Sequence, residues 1–347
     1  MLRNKDATVY NPVNSDNVCT DTFIKVTSLE KTFGKVNALK DLNLDVETGI
    51  VFALLGPNGS GKTTLVKILT TLLRPDAGTA QVGGFNVIEQ ASEVRTLIGL
   101  AGQYPAVDEN LTGKENLEMI GRLYHLGKLQ ARVRALELLD SFELSDAANR
   151  RAKTYSGGMR RRLDLAAALV ANPPILFLDE PTTGLDPRSR LNLWEVIKDQ
   201  VKRCNSVFLT TQYLEEADRL ADHIAIIDKG TIIQQGTSQE LKDCCGGETH
   251  VKIRLTDRTQ TQKAFEALRG ITSETINQNP EMGEITFPAP SGTSVLSSVV
   301  RSLDAVGIEL AELGLKQPTL DDVFLAITGH VAEEESDTNT GMTSGSG

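Results

Sequence analysis

A short glycine-rich stretch of this chain has the residue types and spacing of a phosphate-binding loop. Its pattern, G-x-x-x-x-G-K-T, follows an apolar run and precedes a helical pattern, which is the context such a loop requires. Glycines without a Cβ atom let backbone amides curl around an anion, and the helix amino terminus adds partial positive charge. We expect Lys62 to reach the β- and γ-phosphates of a nucleotide and Thr63 to ligate magnesium. The predicted nucleotide-binding residues here are Gly56, Pro57, Asn58, Gly59, Ser60, Gly61, Lys62, Thr63 and Thr64.

A pair of acidic residues ends a second apolar run. Ile175–Leu178 is followed directly by Asp179 and Glu180, a pattern typical of a central strand that delivers carboxylates to its carboxyl end. Asp179 is predicted to hold magnesium and Glu180 to polarise the water that attacks the γ-phosphate, because phosphoryl transfer needs a positioned nucleophile and neutralised oxygens. Acid pairs after apolar runs are common, so this pattern gains weight only beside the glycine-rich loop. Together the patterns fit any phosphate-loop NTPase, including GTPases, kinases and helicases.

A second glycine-rich turn narrows these classes. Ser156, Gly157 and Gly158 precede a helical pattern, so a hydroxyl, glycine amides and a helix amino terminus form another anion cradle. The turn resembles the signature motif of ATP-binding-cassette (ABC) proteins, usually Leu-Ser-Gly-Gly-Gln, with Tyr155 and Met159 in place of the outer residues. The resemblance implies that the turn closes over the γ-phosphate of ATP held by a second copy, which makes a closed two-fold homodimer.

Further positions follow in the order found in ABC proteins, and their roles are implied by that resemblance. Phe33 matches the aromatic residue that stacks on adenine, where tyrosine is more usual. Gln103 matches the glutamine that completes the magnesium shell and links to the transmembrane partner. Asp186 lies in the loop through which two copies sense each other. Without the motifs, Phe33 would be read as a core residue and Gln103 as a surface glutamine.

One position departs from the family pattern. Gln212 stands where most ABC proteins have histidine; glutamine can hydrogen-bond the γ-phosphate or the water, but it cannot carry positive charge. Either hydrolysis tolerates the change or this subunit is slow. The predicted catalytic residues are Glu180, Gln212 and Lys62, and the predicted magnesium ligands are Thr63, Gln103 and Asp179.

The closest resemblance is to the ATP-binding subunits of daunorubicin/doxorubicin-resistance (DrrA-like) exporters, over about residues 23–328. It is carried by Tyr155–Arg162, by Thr210–Leu214 and by Pro318–Leu325. The resemblance implies ATP and Mg²⁺ as cofactors and export of drugs, lipids or other hydrophobic compounds through a separate permease. Membrane association then goes through that permease, at the cytoplasmic face, and the cargo is not identified.

The elements that must position these residues follow from the apolar pattern. Short apolar runs at Ile50–Leu55, Ile175–Leu178, Val207–Leu209 and Ile224–Ile227 alternate with helical patterns, which predicts an α/β core with buried strands. The resemblance makes this a P-loop NTPase fold of the ABC ATPase type, with a mixed β core and a helical subdomain. We expect a disordered tail at 1–21, a nucleotide-binding domain at 22–247, a small α+β dimerisation or regulatory domain at 248–330 and a disordered tail at 331–347.

The small domain has its own pattern of elements. Strands are predicted at Val251–Leu255 and Ile285–Phe287, and helices at Lys263–Leu268 and Val295–Leu303. A last helix is expected to begin after Thr319, with Asp322 completing a capping-box-like pair, and to end at Gly329.

Composition excludes some function classes. The net charge of -10 over 347 residues argues against broad binding to nucleic acid or to anionic lipid. The basic run Arg160–Arg162 is interpreted as a solvated helix face. The longest apolar candidate, Leu163–Leu178, is interrupted by polar residues and prolines and falls short of the ~20 residues of a spanning helix. The sequence therefore predicts a cytoplasmic protein.

Two rival interpretations remain open. A soluble ABC protein acting in translation or DNA repair usually carries two cassettes or a long inserted arm, and neither is present in this sequence. A nucleotide-gated regulator with slow hydrolysis is supported by Gln212 alone.

Overall fold

The computed structural model describes residues 22–102, 106–202, 205–244, 250–271, 276–289, 294–316 and 319–328. The predicted tails at 1–21 and 331–347, and the predicted domain boundary between 247 and 248, lie outside these residues. The chain forms two compact units. The first contains the described residues through Gln212 together with Arg219–Ile233, and the second contains Tyr213–Asp218 together with the described residues from Gln234 onward.

The first part of the chain, through Gly236, alternates strands and helices. Its strands are β1 (Thr22–Phe33), β2 (Val36–Glu47), β3 (Val51–Leu55), β4 (Ala77–Val82), β5 (Phe85–Asn86), β6 (Ile98–Ala101), β7 (Ile175–Asp179), β8 (Ser206–Thr211), β9 (His223–Asp228) and β10 (Thr231–Gly236). Its helices are α1 (Lys62–Leu69), α2 (Ala91–Leu97), α3 (Gly113–Leu123), α4 (Lys128–Ser141), α5 (Gly157–Ala168), α6 (Pro187–Lys202) and α7 (Leu214–Leu220).

A six-stranded sheet positions the candidate site. Its strand order is β10-β9-β3-β8-β7-β6. Strand β3 pairs in parallel with β8 and β9, and β7 pairs in parallel with β6 and β8. Every residue of β3, β7 and β8 is buried, which confirms the buried strands predicted from the apolar runs. Because β8 lies between β3 and β7, the carboxyl ends of all three strands meet at one edge of the sheet.

An antiparallel sheet of order β2-β1-β4-β5 covers part of the same core. Phe23, Ile24, Val26 and Leu29 of β1 are buried in the hydrophobic cluster that also contains Phe52 of β3. The apolar-run pattern did not predict this sheet. The register of β1 against β2 shifts between Val26 and Leu29, so the inward-facing residues lose the strict alternation by which a half-buried strand is recognised.

The second unit contains an antiparallel sheet packed against helices. Its elements are α8 (Ser238–Cys244), β11 (His250–Leu255), α9 (Thr261–Leu268), β12 (Asn277–Asn279), β13 (Glu284–Pro288), α10 (Ser294–Ala305), β14 (Leu310–Lys316) and α11 (Leu320–Thr328). The strand order is β12-β13-β11-β14. The side chains of Ile253, Phe287 and Leu303 lie in its apolar core. Strands β11 and β13 and helices α9 and α10 confirm the predicted elements.

The start of the last helix also confirms its prediction. The Thr319 hydroxyl accepts a hydrogen bond from the Asp322 amide (3.3 Å), and the Asp322 carboxylate accepts one from the Thr319 amide (2.9 Å). The predicted end at Gly329 lies outside the described residues. Within the described part of the chain, none of the helices combines the length and the apolar character needed to cross a lipid bilayer.

Candidate nucleotide site

The glycine-rich loop joins β3 to α1, as its sequence context predicted. Gly59 and Gly61 have φ angles of 80° and 113°, which side chains with a Cβ rarely adopt. A Cβ atom on Gly56 would lie 2.3 Å from the carbonyl oxygen of Ile227, so this position also requires glycine. The first turn of α1 contains no acidic residue and no side chain caps it among the described residues. Its partial positive charge is therefore available to an anion.

Lys62 lies beneath this loop. Its side chain is 4% exposed, and Nζ is 3.4 Å from Oε1 of Glu180, which is 12% exposed. Nζ also donates hydrogen bonds to the carbonyl oxygens of Gly56 (2.7 Å) and Pro57 (3.1 Å). The structure therefore places a buried cation between the phosphate loop and the end of β7, where the γ-phosphate of a nucleotide would need neutralisation.

The acidic pair at the end of β7 is held by Thr210 of β8. The Thr210 hydroxyl donates to Oδ1 of Asp179 (2.6 Å), and the Glu180 amide donates to both the hydroxyl and the carbonyl oxygen of Thr210 (3.1 Å each). Asp179 also accepts a hydrogen bond from the hydroxyl of Thr63 (3.3 Å). Glu180 has a φ of 49°, a left-handed conformation that costs energy for a residue with a Cβ. The two carboxylates are thus fixed by the neighbouring strand.

Sequence reasoning did not predict Thr210 as a site residue. It is fully buried and lies near the carboxyl end of β8, between the strands that carry the phosphate loop and the acidic pair. A hydroxyl directly after the buried apolar run Val207–Leu209 was the available signal, because such a group needs a hydrogen-bond partner.

Two polar atoms near the loop have no hydrogen-bond partner among the described residues. They are Oγ of Ser60, in a side chain that is 2% exposed, and Oε1 of Gln212, directly after β8. Buried polar groups are normally paired, so these orphaned atoms are consistent with a polar ligand such as a nucleotide phosphate or a water. The roles predicted for both residues stay predictions.

Magnesium fits the donor set at this edge of the sheet. The hydroxyl of Thr63 and the carboxylate of Asp179 are hard oxygen ligands, they already contact each other, and Mg²⁺ prefers such ligands together with phosphate oxygens and waters. Gln103, the third predicted ligand, lies outside the described residues.

The signature turn begins helix α5. The hydroxyl of Ser156 accepts a hydrogen bond from the Met159 amide (3.2 Å) and so caps the helix. Ser156 and Gly157 are exposed. Tyr155, which replaces the usual leucine, is buried and its hydroxyl donates to the carbonyl oxygen of Ala147 (2.7 Å). Tyr155 therefore anchors the turn, while the anion-binding groups of Ser156 and Gly157 are exposed.

Asp186 lies beside the signature turn. A Cβ atom on Gly158 would lie 3.8 Å from Oδ2 of Asp186 and 3.5 Å from Oγ of Ser189. Asp186 also caps α6, since its carboxylate accepts hydrogen bonds from the hydroxyl (2.6 Å) and amide (3.0 Å) of Ser189. These bonds hold the pKa of Asp186 below its usual value. Asp186 therefore has a structural role in the single chain in addition to its predicted role between copies.

Phe33 lies at the carboxyl end of β1 and is 49% exposed, so its ring face is accessible rather than part of the core. Lys31 Nζ lies 5.6 Å from the ring centroid. A half-exposed aromatic ring can stack on a base, which is the role the resemblance implies.

The interpretation of Arg160–Arg162 as a solvated helix face is wrong. The side chains of Arg161 and Arg162 are 12% and 17% exposed, and that of Arg160 is 34% exposed. Each guanidinium donates to main-chain carbonyl oxygens of other segments. The sequence pattern failed because an arginine run shows its charge but not its partners, and buried carbonyl groups can take up those donors.

The fold and the site define a phosphate-loop nucleotide hydrolase. The ABC transporter family model matches residues 39–183. Over 309 residues the chain is 49% identical to the daunorubicin resistance ATP-binding protein DrrA3 of Streptomyces coeruleorubidus, covering 89% of this chain and 96% of that protein. The chain belongs to the ATP-binding proteins of ABC transporters, in the DrrA-like daunorubicin/doxorubicin-resistance family.

More distant relatives agree with this assignment. Over 312 residues the chain is 32% identical to the linearmycin resistance ATP-binding protein LnrL of Bacillus subtilis (strain 168), covering 90% of this chain and all of that protein. A dimeric post-hydrolysis structure of the ATP-binding cassette MJ0796, bound to ADP and Pi, aligns with a TM-score of 0.57 and 27% identity, covering 62% of this chain and 98% of that one. The protein is an ABC ATPase whose ATP hydrolysis is coupled to transport.

Proposed function

We propose that this chain powers the export of drugs or other hydrophobic compounds through a separate transmembrane permease, and works as a homodimer. The ATP-hydrolysing part of the proposal is carried by the cluster of Lys62, Thr63, Asp179 and Glu180, in which the Glu180 carboxylate lies 3.4 Å from the lysine ammonium. Support for the cargo class comes from the relatives, which are named for resistance to daunorubicin and linearmycin.

Each residue of the cluster has a part in the proposed reaction. The amides of the loop and Lys62 bind the phosphates of ATP, and Thr63 and Asp179 would hold Mg²⁺. The metal would neutralise phosphate oxygens in the transition state. Glu180 polarises the attacking water, and the Gln212 amide hydrogen-bonds the γ-phosphate or that water.

Two copies complete the site in this proposal. The exposed signature turn of one copy binds the γ-phosphate held by the loop of the other, with Asp186 at the contact between copies. The dimeric cassette bound to ADP and Pi supports such an assembly. For the small α+β domain predicted at 248–330 we propose a dimer-stabilising or regulatory role. Association with the cytoplasmic face of the membrane, through the permease, is part of the same proposal.

A transport assay tests the export function. The permease is identified by co-purification and co-expressed with the chain, and daunorubicin is added as a fluorescent probe to the buffer outside inside-out membrane vesicles. We expect ATP-dependent uptake with the parent chain and none with its Glu180→Gln variant. Uptake that is equal in the two vesicle preparations would contradict the proposal, and a parent chain that binds ATP without turnover would favour a nucleotide-gated regulator.

A separate prediction concerns the effect of the Gln212 side chain on ATP hydrolysis. Gln212→Ala should lower kcat for ATP hydrolysis by about 10²-fold, because it removes one polar group aimed at the reacting phosphate or water. Gln212→His should stay within a few-fold of the parent, since imidazole can also donate and accept. Phosphate release by the purified full-length chain measures both. An alanine variant with parental kcat would remove Gln212 from the catalytic residues.

A further inference from the structure

The middle arginine of the basic run, Arg161, contacts the main chain of the acidic pair. Its guanidinium donates through Nε to the carbonyl oxygen of Pro181 (2.9 Å) and through Nη2 to those of Asp179 and Glu180 (3.0 Å each). Through Nη1 it donates to the carbonyl oxygen of Gly102 (2.5 Å). Arg161 therefore binds three consecutive carbonyl groups at the end of β7, which include those of both acidic residues.

One turn further along α5, Asp164 supports this arginine. Its side chain is 2% exposed, and Oδ2 lies 3.6 Å from Nη1 of Arg161. Oδ1 accepts a hydrogen bond from the amide of Ala106 (2.6 Å). Arg161 and Asp164 thus fix Gly102 and Ala106, the residues that flank positions 103–105 in sequence. The pair joins the helix that begins at the signature turn to both β6 and β7.

The backbone that Arg161 holds is a strained one. Glu180 has a positive φ, and its two main-chain groups are fixed from opposite sides: Thr210 accepts from the amide, and Arg161 donates to the carbonyl oxygen. A non-glycine residue keeps such a conformation only where its surroundings over-determine it. The direction of the Glu180 carboxylate, toward Lys62, depends on that conformation.

We propose that Arg161 is a positioning residue for ATP hydrolysis, which holds the Asp179–Pro181 backbone so that the Glu180 carboxylate stays directed at the reacting phosphate. The inference rests on the proposed role of Glu180. The planar guanidinium suits this task, because it presents several donors in a fixed fork that a lysine ammonium cannot reproduce. These hydrogen bonds of Arg161 go to main-chain carbonyl groups after β6 and at the end of β7, outside the phosphate loop, so we expect ATP to bind that loop without the fork.

A purely structural role is the alternative, and the neighbouring arginine provides the matched control. Arg162 lies on the same helix, is buried to a similar degree, and donates to the carbonyl oxygen of Phe142 (3.0 Å), at the end of α4. Arg162→Gln removes an arginine–carbonyl contact of the same chemistry away from the acidic pair. If the loss of any such contact were enough to reduce turnover, Arg161→Gln and Arg162→Gln would behave alike.

The experiment measures kcat, KM and ATP binding for full-length Arg161→Gln, Arg161→Lys and Arg162→Gln, with rates expressed per ATP-binding site. For Arg161→Gln we expect kcat to fall about 10²-fold, the usual consequence of misplacing a reacting group by about 1 Å, with KM and ATP affinity little changed. Arg161→Lys should recover part of the rate, and Arg162→Gln should keep the parental kcat. Parental kcat in Arg161→Gln would overturn the proposal.

A double variant distinguishes a positioning effect on Glu180 from a general loss of ATPase activity. If Arg161 acts through Glu180, then adding Arg161→Gln to Glu180→Gln should reduce the residual rate no further, because residues that act as a unit are not additive. A further reduction as large as that in the parent background would contradict the proposal. The underlying function is tested apart from this: parental turnover in Glu180→Gln alone would refute the role of Glu180, whereas loss in Glu180→Gln with none in Arg161→Gln would refute only the positioning role.

Discussion

Replacing Glu180 by glutamine is expected to lower steady-state ATP turnover by about 10²–10⁴-fold, the range that a positioned general base contributes, while ATP still binds. The amide keeps the shape of the side chain but cannot accept the proton of the attacking water. It also removes the negative charge 3.4 Å from Lys62, so the ammonium is freer to pair with the phosphates. ATP affinity should therefore be maintained or increased, and ATP should hold two copies together.

The measurement combines phosphate release, equilibrium ATP binding and the oligomeric state in the presence of ATP and Mg²⁺. Glu195→Gln is the matched control, because Glu195 has a 73% exposed side chain on α6 and forms an ion pair with Lys198 at 3.9 Å. The control should keep parental turnover. Turnover equal to that of the parent in Glu180→Gln would show that the assignment of Glu180 is wrong, and loss of ATP binding would show that the residue binds nucleotide instead.

The sequence predicts those parts of the site whose functional residues are neighbours in the chain. The phosphate loop is continuous in the chain, and the strand that ends at Asp179 is a run of buried apolar residues. The sequence pattern therefore gives the positions of these site residues directly. Parallel pairing on either side of β8 then brings Lys62 to Glu180 without further information. The small C-terminal elements were predictable for the same reason, since Val251, Ile253 and Leu255 alternate as a half-buried strand must.

What the sequence does not predict are contacts made across the fold. Thr210 holds Asp179 and Glu180 from the adjacent strand, and Arg161 does so from a helix that precedes β7 in the chain. Nothing in the local pattern of either residue indicates its partner. Strand β14 shows the same limit for secondary structure: Leu310–Lys316 contains good helix formers, but pairing with β11 overrides that preference.

The second large effect is expected at Lys62. Lys62→Met should weaken ATP binding by about 10–150-fold, which corresponds to the roughly 1.5–3 kcal/mol of a hydrogen bond to a charged group. It should also lower kcat by about 10²–10³-fold, since a cation aimed at the transferring phosphoryl group is lost. Equilibrium ATP binding and phosphate release by the full-length chain measure the two effects. Lys67→Met is the control, because Lys67 lies exposed in the last turn of the same helix.

Removing Lys62 also disturbs the fold, and a double variant separates this effect from binding. Glu180 is only 12% exposed, and loss of the ammonium 3.4 Å away leaves its carboxylate charge without that compensation, so Lys62→Met should lower Tm. Lys62→Met combined with Glu180→Gln removes both charges and should recover much of the lost Tm. It should not recover ATP binding or turnover, because neither methionine nor glutamine supplies a cation to the phosphates. If ATP binding returned along with Tm, Lys62 would act through stability rather than through direct contact with the nucleotide.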